Sequence, residues 1–118
     1  MANPNIVGVS TIYGNTNLLA VTTVNTAIVS NPSSSNSIYK LNTLSVSNIN
    51  TAAAAVSVVF NRGGANTYIV QNVPVAANSK LDIIGKDTML YLLENDTVQI
   101  TASANAYIQA IASWEQIS

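Results

Sequence analysis

The chain contains no histidine and no cysteine. Without histidine it lacks the commonest general base and the commonest metal ligand. Without cysteine it can form neither disulfides nor thiolate metal sites. Charge is scarce too: 8% of residues are charged, against about a quarter in an average globular domain. The four basic residues, Lys40, Arg62, Lys80 and Lys86, are scattered. Phosphate-backbone binding needs clustered positive charge, so nucleic acid is not an expected partner. No apolar run approaches the ~20 residues that span a bilayer, so no membrane role is expected. Met1-Ala2-Asn3-Pro4-Asn5 has no basic region, and no apolar core follows it. A soluble product made in a cytoplasm is therefore expected.

What the chain does have is small, uncharged polarity. Hydrophobic residues make up 48% of the 118, and Asn, Ser and Thr together about a third. These polar side chains hydrogen-bond while losing less rotamer freedom than Lys or Glu. A surface built from them suits contact with other proteins, where burying charge is expensive. A neutral soluble protein is the plainer alternative. The length fits a single domain, 1–118, that hides roughly two thirds of its unfolded surface.

The apolar residues recur with period two. Thr97-Val98-Gln99-Ile100-Thr101-Ala102 alternates cleanly, and Ala106, Ile108, Ala110, Ala112 and Trp114 share one parity. This is the pattern of half-buried strands. Strands are expected at Ile6–Tyr13, Leu18–Thr22, Thr26–Ser30, Ser37–Ser47, Ala54–Phe60, Thr67–Val73, Lys80–Ile84, Thr88–Leu93, Thr97–Ser103 and Ala106–Ile117. Turn signals separate them: Gly14-Asn15, Asn31 to Asn36, Asn48 to Asn50, Asn61 to Gly64, Ala76 to Asn78, Glu94 to Asp96, and Asn105. Short strands at this spacing predict an all-β, antiparallel β-sandwich or jelly-roll-like domain. Ala52 to Ala55 is read as a loop entering a strand, although alanine favours helix. Thr88–Leu93 is read as a strand packed on both faces, and Trp114 as largely buried. Pro32 to Asn36 is read as an exposed loop. Met1–Asn5 is read as an N-terminal arm, either free or reaching a neighbouring subunit.

Each candidate for chemistry has a structural explanation beside it. Ser33, Ser34 and Ser35 lack a histidine base and sit in a turn-like stretch. Asp82 and Asp87 could flank a sugar bond or hold calcium, but exposed turn residues beside Lys80 and Lys86 account for them. Glu94-Asn95-Asp96 offers too few oxygens for a calcium loop. Asn95-Asp96-Thr97 matches the glycosylation sequon, here taken as chance. Arg62-Gly63-Gly64 reads as a hairpin tip rather than a phosphate-binding turn. The aromatics Tyr13, Tyr39, Phe60, Tyr68, Tyr91, Tyr107 and Trp114 are dispersed, which favours packing over a stacking platform. No catalytic, cofactor-binding or metal residue is assigned, and no enzyme is expected.

Several elements, taken in order, carry a resemblance. They are Ala2-Asn3-Pro4-Asn5-Ile6-Val7 with Ile12-Tyr13-Gly14; Ile38 through Asn48; Val73-Pro74-Val75-Ala76-Ala77-Asn78-Ser79; Leu90 through Asp96; and Thr101 through Asn105 leading to Ala112-Ser113-Trp114-Glu115-Gln116-Ile117. Over nearly its full length the chain resembles small virion structural proteins of tailed bacteriophages, especially those of cyanobacteria and other aquatic bacteria. Where that family usually shows an acidic-Gly-Asp turn, this chain has Glu94-Asn95-Asp96, and Asn adopts the same backbone.

The resemblance implies a non-enzymatic part of the virion, made in the host bacterial cytoplasm. A capsid decoration (cement) protein is the leading expectation: a homo-oligomer, trimer favoured, bound to other phage structural proteins with the major capsid protein first among them. A tail, neck, baseplate or fibre component, touching host glycans, is the alternative.

Overall fold

The computed structural model describes residues 11–118. The expected strand start at Ile6 and the Met1–Asn5 arm lie outside the described residues. Among the described residues nine strands follow one another: β1 Ile12–Val21, β2 Thr26–Ser30, β3 Ile38–Asn48, β4 Ala54–Arg62, β5 Ala65–Val75, β6 Lys80–Ile84, β7 Leu90–Leu92, β8 Thr97–Ala102 and β9 Ile108–Ile117. A 3-10 turn, Lys86–Thr88, separates β6 from β7.

The strands form two antiparallel sheets. One runs β1-β9-β3-β6, with β7 also paired to β3; the other runs β2-β8-β4-β5. The pairings are nested. The outermost strands β1 and β9 pair, then β2 with β8, β3 with β6, and innermost β4 with β5. The chain is thus one long hairpin wrapped around a core, which is the jelly-roll arrangement. β3 holds the first sheet together. It pairs along its whole length with β9, and on its other side with β7 at Tyr39–Leu41 and β6 at Leu44–Ser47.

Side-chain alternation explains the core. Val98, Ile100 and Ala102 of β8 face Ile108, Ala110 and Ala112 of β9 from the opposing sheet, and all six are buried. In β3 the buried Leu41 and Leu44 are three apart, which breaks strict alternation. A register shift between Leu41 and Thr43 absorbs Asn42 and returns Leu44 and Val46 to the inner face. Leu41, Leu44, Leu92, Ile100 and Ile108 are fully enclosed. Each such side chain contributes about 2 kcal/mol of transfer free energy.

Three local expectations are corrected. Gly14-Asn15 is not a turn: β1 runs unbroken through it, because β9 offers a ten-residue ladder from Ile12 to Val21. Thr88–Leu93 shrinks to Leu90–Leu92 and packs on one face; Leu92 is buried and Tyr91 exposed. Thr88 instead ends the 3-10 turn, where its hydroxyl accepts the Gly85 N–H at 2.9 Å. Ala106 leaves the β9 face, since it adopts φ 66° in the preceding turn. Trp114 is mostly buried, as expected: it packs against the core and stacks on Tyr39 with centroids 6.0 Å apart.

Candidate assembly surface

The residues singled out for chemistry are not drawn together into a reactive cluster. Asp82 lies within strand β6 rather than in a turn, on the outer face of its sheet. It accepts a hydrogen bond from Ser45 Oγ at 2.7 Å, and Lys80 Nζ stands 3.4 Å away. Those two contacts, Ser45 first, hold its carboxyl below the ordinary aspartate value. Asp87 sits in the 3-10 turn, exposed. Among the described residues no group of three or more His, Cys, Asp or Glu side chains is placed to hold a metal ion. Ser35 donates to Asn31 Oδ1 at 2.6 Å, so its hydroxyl serves the loop, and Ser33 and Ser34 are exposed.

The Arg62-Gly63-Gly64 segment is the tip of the β4–β5 hairpin. Gly63 and Gly64 both have positive φ, 61° and 83°, as a type I′ turn requires. Arg62 itself turns back to Asp96, donating through Nε at 3.0 and 3.1 Å and Nη2 at 2.7 Å. The Leu93 N–H adds a fourth contact at 2.8 Å. Asp96 is 2% exposed. The sequence reading missed this pair. The signal was present, because Asp96 has the parity of Val98, Ile100 and Ala102, and an inward acid needs a partner.

Two buried asparagines tie the loops at opposite ends of the sandwich. Asn31 donates through Nδ2 to the carbonyls of Ser37 and Leu92, both at 2.9 Å. Its backbone exchanges hydrogen bonds with Asp96 and Asn95. Asn48 donates to the carbonyls of Ala52 at 2.9 Å and Val75 at 3.0 Å, and accepts from the Asn50 N–H. The Pro32 to Asn36 loop is exposed as expected at Pro32, Ser33 and Ser34 but anchored at both ends; the Asn36 N–H donates to Glu94 Oε2 at 2.6 Å.

What remains outside carries few charges, and most of those on the described side chains are paired. Among the described side chains three ion pairs form: Lys40 with Glu115, Arg62 with Asp96, and Lys80 with Asp82. The outer face of the β2-β8-β4-β5 sheet is a ladder of amides and hydroxyls. Asn25 donates to Gln99 at 2.6 Å and accepts from Thr101 at 2.9 Å. Gln99 donates to Thr97, and Ser57 serves the Asn72 N–H. On the other sheet Leu18 and Ile111 stand opposite each other, both exposed, beside a shallow groove of about 410 Å³. Val24 and Ile49 project from the loops at one end. A second open groove, about 580 Å³, lies between Phe60, Ile69, Leu90 and Tyr91. This chemistry suits contact with protein surfaces, since little charge has to be stripped of water.

No family model matches the chain, and no curated protein matches it. Solved structures share its fold. One is a chain of the disulfide-linked pili that form Bacillus endospore appendages: 21% identical, TM-score 0.54, covering all of this chain and 94% of that one. Another belongs to the acid-stable capsid of Helicobacter pylori bacteriophage KHP30: 11% identical, TM-score 0.55, covering 93% of this chain and 90% of that one. These likenesses run the length of the sandwich and speak for the fold.

Proposed function

We propose that this chain is a structural component of a bacteriophage virion, and within it a capsid decoration protein that works by being held between neighbours. The observation that carries the reading is the charge-poor, amide-rich surface on a rigid jelly roll. The fold likeness to a chain of a phage capsid agrees with it. The mechanism is energetic. Copies of the chain bury apolar and amide surface against the shell. Because they bind the assembled lattice and not its separated parts, they stabilise it by mass action. With few charges in the contact, binding tolerates salt. Particles made with and without the protein are compared on heating. The reading expects particles lacking it to release their contents at a lower temperature; identical release curves would remove the decoration role.

A second reading, a subunit of an extracellular fibre, is favoured by the likeness to the endospore pili. The chain has no cysteine, so such a fibre would hold together without disulfides between copies of it. Electron microscopy of the purified chain separates the two: filaments formed without other components support the fibre.

A further inference from the structure

The two sheets leave their edge strands unequally protected. Natural edges avoid unwanted pairing by shortness, charge, proline or bulges. β2 has five residues and a register shift against β8. β5 carries Pro74, two register shifts and Asn72 at φ 50°. β6 has five residues with Lys80 and Asp82, and β7 has three residues. β1 has none of these devices. It runs ten residues without a register shift, and Ile12–Val21 contains neither proline nor charge. Among the described residues its outer edge pairs with no strand.

Which groups that edge offers follows from the ladder. Thr11 and Ser118 exchange both backbone hydrogen bonds at 3.0 Å. In an antiparallel pair such residues alternate with ones whose N–H and C=O point away. Ile12, Gly14, Thr16, Leu18 and Ala20 therefore present theirs to the free edge. All five residues are exposed.

We infer that β1 is a docking edge for β1 of a second copy, paired antiparallel about a two-fold axis at Thr16. This register engages all five edge-facing residues. It sets Leu18 of each copy opposite Gly14 of the other, Ile12 opposite Ala20, and Thr16 opposite itself. Large side chains meet small ones, and the central threonines form a favourable cross-strand pair. No like charges meet, since the strand has none. A two-fold contact of this kind is self-complementary by construction. The exposed Leu18 and Ile111 lie beside the axis. The inference stands apart from the virion reading, because self-association of the purified chain is measured without any particle.

The test uses the full chain. With no native cysteine, Thr16→Cys gives one thiol per copy. Opposed residues of a hydrogen-bonded pair have Cα atoms about 5.5 Å apart, within disulfide reach. Mild oxidation should convert most of Thr16→Cys to a covalent dimer, while Ser33→Cys and Thr67→Cys stay monomeric. Sedimentation should show a concentration-dependent dimer for the unmodified chain. Leu18→Lys, which puts two charges beside the axis on a surface position, should be monomeric with an unchanged circular dichroism spectrum. A monomer at every concentration would overturn the inference, as would an oligomer indifferent to Leu18→Lys. Cross-linking of Thr16→Cys that appears only after residues 1–10 are removed would also overturn it, because the chain's own N-terminal segment would then hold the edge.

Discussion

Arg62 and Asp96, 34 residues apart in sequence, meet across the ends of β4 and β8 in an unequal partnership. The carboxylate is buried at 2% exposure, whereas the guanidinium side chain is 55% exposed and stacks over Phe60 at 5.2 Å. Asp96 depends on Arg62 for its charge compensation, but Arg62 can turn to water.

Removing Arg62 therefore costs more than neutralising Asp96. Arg62→Ala should destabilise the fold by about 2 kcal/mol, less than a fully buried broken pair because water can reach the vacated side. Asp96→Asn keeps an acceptor for the Leu93 N–H and should cost about 1 kcal/mol. Urea unfolding with unchanged m-values reads both.

The two buried asparagines should be as costly. Asn31→Ala leaves the carbonyls of Ser37 and Leu92 without their donor, and Asn48→Ala does the same to Ala52 and Val75. Each change should cost about 2–3 kcal/mol in the same measurement. Asn42→Ala, at the half-buried bulge where the side chain donates to Glu115, should cost less than about 1 kcal/mol.

Glycine substitutions should split by position. A Cβ at Gly14, Gly63 or Gly64 would meet no atom within 4 Å, so backbone conformation alone decides. Gly64→Ala, at φ 83°, should cost about 1 kcal/mol. Gly14→Ala, in the extended strand β1, should be neutral or gain about 0.5 kcal/mol. Thermal melts compared at one protein concentration distinguish them.

Stability should be flat across the middle of the pH scale, because no histidine titrates there. The depressed Asp82 carboxyl contributes stability above its unfolded-state value, near 4, and loses it as pH falls through the folded one. Arg62 is raised by its hydrogen bond to Asp96. Its contribution is complete below the unfolded arginine value and fades only in strong alkali. Melting temperature should hold from about pH 5 to about pH 9 and decline below about pH 4. Asp82→Asn should make that acid decline shallower.

Much of the sandwich was legible because alternation survives in this sequence almost undiluted. β8 and β9 could be read residue by residue from Val98 to Ala102 and from Ile108 to Ala112. What failed depended on partners distant in the chain. Gly14-Asn15 looks like a turn until β9 is laid beside it. Leu90–Leu92 looks doubly buried until it is found on the flank of β3. The Arg62–Asp96 pair was missed because each residue was weighed within its own turn. Local sequence does not show that the β4–β5 tip and the β7–β8 turn share one end of the molecule. The surface was legible only in kind: composition announces few charges, but the fold determines which of them pair, as Lys80 does with Asp82.

The most direct test of the proposed decoration role is a count of copies of this chain in purified phage particles, by quantitative mass spectrometry against the major shell protein. A decoration protein is expected in hundreds of copies, in a fixed ratio to the shell and unchanged after washing in high salt. Absence from the particle, or turnover of a substrate by the isolated chain, would contradict the account.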